Sequence, residues 1–241
     1  MSATTDPVED RSVFEKPEPQ PDFVGKYGEL ADHVFDVFRG GSQTLVLIHG
    51  GYWRPEYDRK HLRNFAQAFS KLGYTVISLE YRRIPGNPDA MVSDIKSGIE
   101  HIAQKYGPVI VIGHSAGGHL ALWAAENVSG IKKIIALAPV GDLASVDQRR
   151  LDNDAAREFL GRPASERADL DPMTLSLMGI PTTIIHGALD IWVPIDLAHN
   201  YVQRKRIQGE NVRFIELPTI GHFELIDCDS SVWPVITQEL L

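Results

Sequence analysis

Five consecutive residues, Thr44-Leu45-Val46-Leu47-Ile48, carry no charge and no polar alternation, and the pattern returns at Val109-Ile110-Val111-Ile112. A strand with one face in water alternates apolar and polar residues. An unbroken apolar run instead belongs to a strand covered on both faces, as in the centre of a parallel sheet. Parallel neighbours need long crossovers, usually helices, and the chain supplies them. Residues 59–72 place Leu62, Phe65, Ala66, Phe69 and Leu72 at helical spacing. Helices are also predicted over residues 89–105, 116–127, 195–208 and 230–241, and strands over residues 34–38, 75–79, 133–137, 182–186 and 212–217. This alternation predicts an α/β fold with a mainly parallel central sheet, helices on both faces and right-handed crossovers.

The 241 residues suit a single domain of this kind, assigned to residues 25–241. Between residues 139 and 179 the rhythm lapses into polar sequence with Pro163 and Pro172 and one helix near residues 154–160. This is expected to be a small irregular lid insertion. Residues 1–24 are rich in Pro, Glu, Asp and Ser, and are read as a flexible, loosely draped N-terminal arm.

Hydrophobic residues make up 43% of the chain, enough for a sizeable core. The formal charge of -8, from 24 basic and 32 acidic residues, repels phosphate backbones and disfavours a nucleic-acid partner. Cys228 is the only cysteine, which excludes an intrachain disulfide. No secretory signal or membrane-spanning apolar run is evident, so a soluble cytoplasmic protein is expected. Oligomeric state is left open, with a homodimer among the forms considered.

The chemistry concentrates at Gly113-His114-Ser115-Ala116-Gly117, a G-x-S-x-G pentapeptide. Its setting, after an apolar strand and before a helix, is that of a nucleophile elbow, where a strained turn lifts the serine hydroxyl above the sheet. Small neighbours are needed because the flanking turns pass close by. A serine hydroxyl needs a base, and His222, in a loop after the last strand, is the candidate. Asp190, after the strand over residues 182–186, is the candidate acid that orients the imidazole. Asp196, Glu216 and Asp227 are rivals, disfavoured by their places in a helix turn, in a strand and after His222. An oxyanion hole needs backbone N–H donors. Ala116 follows the nucleophile, and the His49-Gly50-Gly51-Tyr52-Trp53 loop follows an early strand.

H-G-G-x-W, G-H-S-A-G-G, G-x-x-D-x-x-V-P and G-H-F together resemble the kynurenine formamidase (arylformamidase) and esterase branch of the α/β-hydrolase superfamily, over nearly the whole chain beyond the arm. The resemblance implies Ser115, Asp190 and His222 as catalytic triad and the Gly51 and Tyr52 N–H groups as oxyanion donors. A third glycine found in hormone-sensitive-lipase-like esterases is replaced here by Tyr52, a departure favouring the formamidase-like side.

Tyr52, Tyr81 and Trp192 are candidates for an aromatic substrate pocket, with core packing as the alternative for each. Arg82 and Arg83 fit structural ion pairs better than binding of an acidic substrate group. His49, His114, His119 and His186 lack metal-ligand spacing, so no metal and no cofactor is expected. The expected function is hydrolysis of a small-molecule ester or N-formyl amide through an acyl-enzyme. The alternative is a non-catalytic ligand-binding protein on a hydrolase scaffold.

Overall fold

The computed structural model describes residues 9–241. Among these, eight strands form one sheet: β1 (Phe23–Lys26), β2 (Val34–Phe38), β3 (Thr44–Ile48), β4 (Thr75–Leu79), β5 (Val109–His114), β6 (Ile131–Leu137), β7 (Thr182–Gly187) and β8 (Val212–Leu217). Their order is β1-β2-β4-β3-β5-β6-β7-β8. The two pairings that involve β2 are antiparallel, and those from β4 across to β8 are parallel. This is an α/β-hydrolase fold.

Among the described residues there are seven α-helices, six between strands and the last after β8: α1 (Arg63–Lys71), α2 (Pro88–Tyr106), α3 (Ala116–Asn127), α4 (Leu143–Arg149), α5 (Leu151–Leu160), α6 (Ile195–Ile207) and α7 (Trp233–Gln238). The apolar strands feed two cores, one on each face. Leu45 and Leu47 of β3 and Ile110 and Ile112 of β5 pack with Phe65 and Phe69 of α1 and Ile236 of α7. Val46 and Ile48, with Val109 and Val111, pack with Ile95 of α2, Leu120 of α3 and Tyr201 of α6. Successive strand side chains point to opposite faces, so an unbroken apolar run is what a two-sided sheet requires.

The structure departs from the sequence reading in three places. The first turn of the helix expected over residues 59–72 is a 3-10 turn, Arg59–Leu62, held by Arg59 and Arg63 on the buried Asp36 carboxylate at 3.0 and 2.7 Å. The insertion over residues 139–179 holds two helices and two 3-10 turns. Leu143, Val146, Ala156, Phe159 and Leu160 bury themselves in the core, so it is less irregular than its polar composition implies. Third, residues 9–24 are not draped loosely. Ser12–Glu15 form a 3-10 turn, Val13 enters the core with Leu62 and Leu225, and β1 begins at Phe23. Two apolar side chains in a polar segment suffice to dock it where a groove receives them. The remainder of the expected arm, residues 1–8, lies outside the described residues. No helix among the described residues is long and apolar enough to cross a membrane.

Candidate active site

The turn between β5 and α3 carries Ser115 at φ 56°, ψ -120°. A positive φ costs a non-glycine residue about 1–3 kcal/mol and persists only where the surroundings enforce it. Here they do. A Cβ at Gly117 would lie 2.1 Å from the Ile48 carbonyl oxygen, and one at Gly50 would lie 2.7 Å from that of His114. The elbow and the loop after β3 are thus packed backbone against backbone, and side chains at these two positions would force them apart.

The loop after β3 is itself unusual. Gly51, Tyr52 and Trp53 all have positive φ, at 108°, 46° and 60°. Trp53 fixes the turn by stacking on Phe159 with ring centroids 4.6 Å apart and by donating from its indole nitrogen to His119 Nδ1 at 3.2 Å. The buried Tyr81 hydroxyl donates to the His49 carbonyl at 2.7 Å, which places Tyr81 beneath the loop and away from the cavity. Among the described residues, neither the Gly51 nor the Tyr52 N–H donates to a loop backbone carbonyl. Ala116 opens α3, so its N–H also lacks an intrahelical partner.

His222 and Asp190 are brought together from the loops after β8 and β7. His222 Nδ1 lies 2.6 Å from Asp190 Oδ2. The other carboxylate oxygen, Oδ1, accepts from the backbone N–H groups of Trp192 and Val193, each at 2.8 Å. Burial alone would raise the Asp190 carboxyl, but the charges and hydrogen bonds of His222 and His186 outweigh it and hold the group well below the usual carboxylate range. With Nδ1–H committed to Asp190, His222 keeps Nε2 as its acceptor.

His186 is a second imidazole on the same acid. Its Nε2 lies 3.3 Å from Asp190 Oδ2 and donates to the Val193 carbonyl at 2.8 Å, while its Nδ1 is buried without a partner among the described residues. His114 donates from Nε2 to the His222 carbonyl at 3.1 Å, and its ring lies 4.5 Å from that of His222. Burial, then the neighbouring His222, pushes His114 well below the usual histidine range, so it stays neutral and positions the loop.

Ser115, His222, Tyr52 and Trp192 line one cavity of about 140 Å³, joined by Phe14, Arg54, Tyr57, His61, Asp152 and Phe223. Tyr52 donates its hydroxyl to the Trp192 carbonyl, tying the two expected substrate-binding residues across the opening. Arg54 holds the insertion by donating to the side chain and backbone of Asp152 at 2.5 and 2.6 Å, within a run at 152–154 of positive φ.

The rival acids are engaged elsewhere. Asp196 accepts from Arg149, Glu216 pairs with His199, and Asp227 accepts from Lys16. Arg82 and Arg83 are committed to Asp94 and Glu80, as structural ion pairs. Sequence reasoning missed Phe14, Arg54, Tyr57, His61 and Asp152 as cavity residues. Phe14 had a legible signal, since Val13-Phe14 is an apolar pair amid charges. The others carry none, because only packing aims them at the cavity.

Comparison with known proteins gives a consistent picture. A protein-family model described as BD-FAE matches residues 37–204. The chain is 27% identical to Esterase LipC of Mycobacterium tuberculosis, over 83% of this chain and 59% of that protein. It is 32% identical to Kynurenine formamidase of Salmo salar over 105 residues, 39% of this chain and 35% of that one. The chain thus spans less than two thirds of the length of these relatives. Among solved structures, a truncated carbohydrate esterase from gut microbiota superposes with a TM-score of 0.76 at 18% identity, covering 92% of this chain and 96% of that chain. Esterase B from Lactobacillus rhamnosis does so with a TM-score of 0.75 at 18% identity, over 95% and 87% of the two chains.

Proposed function

Since the chain belongs to the BD-FAE family, whose model covers residues 37–204, we propose that it is a serine hydrolase of small carboxylic esters, with Ser115, His222 and Asp190 as catalytic triad. The observation that carries this reading is the strained Ser115 on the wall of the cavity reached by His222, whose other nitrogen is held by Asp190.

In this mechanism His222 Nε2 takes the proton of the Ser115 hydroxyl as its oxygen attacks the ester carbonyl. The negative charge that develops on the carbonyl oxygen is met by the N–H groups of Ala116 and of Gly51 and Tyr52, which have no backbone acceptor of their own among the described residues. As the tetrahedral intermediate collapses, His222 returns the proton to the departing alcohol, leaving an ester on Ser115. Water, deprotonated by His222, then attacks that ester, releasing the acid and restoring the serine.

N-formyl amides are a second substrate class, favoured by the identity to Kynurenine formamidase of Salmo salar. The same steps apply, with an amine as leaving group. The test is hydrolysis of p-nitrophenyl acetate and of an N-formyl arylamide by the protein and by Ser115→Ala, alongside labelling with a fluorophosphonate. Loss of both turnover and labelling in a folded Ser115→Ala variant is expected. Undiminished turnover by that variant would refute the assignment, and the absence of any turnover in the unaltered protein would favour a ligand-binding role.

A further inference from the structure

Residues 9–16 bind, at both ends, the segment that carries His222. At one end the Glu9 carboxylate accepts a hydrogen bond from the His222 backbone N–H, and a Cβ at Gly221 would lie only 2.4 Å from Glu9 Oε1. At the other end the Lys16 ammonium pairs with Asp227 and, at 2.7 Å, with Asp229. Between these ties the strap lays its side chains over the site. The Arg11 guanidinium sits 5.5 Å from the Trp192 ring and 5.2 Å from that of Phe223. Phe14 lines the cavity, edge-on to Phe223 with centroids 5.0 Å apart, and Phe223 is in turn edge-on to His222 at 5.0 Å.

The position of this wall relative to the chemistry follows from the proton. In the reaction proposed above, on which this inference rests, His222 delivers a proton to the departing group, so that group must lie on the His222 side of Ser115. Phe14 and Phe223 wall that side. We propose that the strap forms the leaving-group subsite: Phe14 sets the bulk of the alcohol or amine accepted, and Glu9 is a positioning residue that holds the His222 loop.

Two ester series read these roles separately. One varies the alcohol of an acetate from ethyl to naphthyl; the other keeps p-nitrophenol and varies the acyl chain from acetyl to octanoyl. Phe14→Ala should raise kcat/KM for naphthyl over ethyl acetate by about tenfold, the scale of a pocket enlarged by a few carbons, with the acyl-length profile unmoved. Phe14→Leu, which keeps the apolar packing, should shift the same ratio less. Glu9→Ala should lower kcat about tenfold through a displaced imidazole, at nearly constant KM. Glu9→Gln, whose amide oxygen still accepts, should recover most of that loss. An alcohol ratio unmoved by Phe14→Ala, or a change in the acyl profile instead, would overturn the subsite; a Glu9→Gln variant as slow as Glu9→Ala would overturn the role of Glu9. Fluorophosphonate labelling of Ser115 separates the two levels. Normal labelling with unmoved ratios defeats the strap alone, whereas an unlabelled Ser115 in the unaltered protein defeats the nucleophile and the strap with it.

Discussion

Both carboxylate oxygens of Asp190 are engaged. One oxygen takes two backbone N–H bonds at 2.8 Å, and the other receives His222 at 2.6 Å. An amide in its place could turn its NH₂ toward His222 and impose the wrong imidazole tautomer. Asp190→Asn is therefore expected to lower kcat by about 10³–10⁴ with little change in KM, measured by steady-state turnover of p-nitrophenyl acetate. Asp190, His222 and Ser115 were legible in the sequence as candidates because each lies in the turn or loop that follows a strand, and strand ends in an open parallel sheet converge on one edge. His186 as a second partner of Asp190 was not legible. Its spacing of four residues from the acid becomes a contact only through the turn taken by residues 187–190, and nothing in the residue types announces that turn.

The elbow and the loop after β3 behave as a single unit at the scale of elements. Gly117 in α3 sits against the Ile48 carbonyl at the end of β3, so a methyl group there cannot be added without separating the two. Gly117→Ala should destabilise the protein by about 1–3 kcal/mol, as overpacking of a close contact does. It should also reduce turnover more than a comparable loss of stability elsewhere, because Ser115 and the Gly51–Tyr52 N–H groups would move apart. Thermal melts and turnover measured together check this. The strands and most helices were legible from periodicity, which local sequence carries directly. The helix α4 and the kink in α5 were not. The left-handed run of Asp152, Asn153 and Asp154 is stabilised by Arg54, whose partner lies 98 residues away, and no local pattern encodes a tie of that length.

For the molecule as a whole, burial of neutral histidines predicts how stability responds to acid. His119 is fully enclosed, accepting from Trp53 and donating to Leu170, and burial lowers it from 6.5 to about 4. Burial, with the neighbouring His49, likewise lowers His61 to about 3. Below pH 6.5 the unfolded chain takes up protons on these groups while the folded chain does not, so their contribution is intact above pH 6.5 and declines as pH falls toward 4. The melting temperature should fall with acidification across that window, and His119→Gln, which cannot titrate, should flatten the slope.

What the sequence determined by itself was the architecture and a short set of candidate reacting groups. Apolar runs and helical periodicity are local properties, and the G-x-S-x-G turn has one structural meaning between a buried strand and a helix. What only the tertiary structure decided is the shape of the site around Ser115. Glu9 reaches His222 and Phe14 reaches Phe223 across more than 200 residues of sequence, and Arg54 reaches Asp152 across 98. Such contacts depend on how finished elements pack against one another. A charged, proline-rich segment therefore reads as loose until a folded surface offers Val13 a groove and Lys16 a pair of carboxylates.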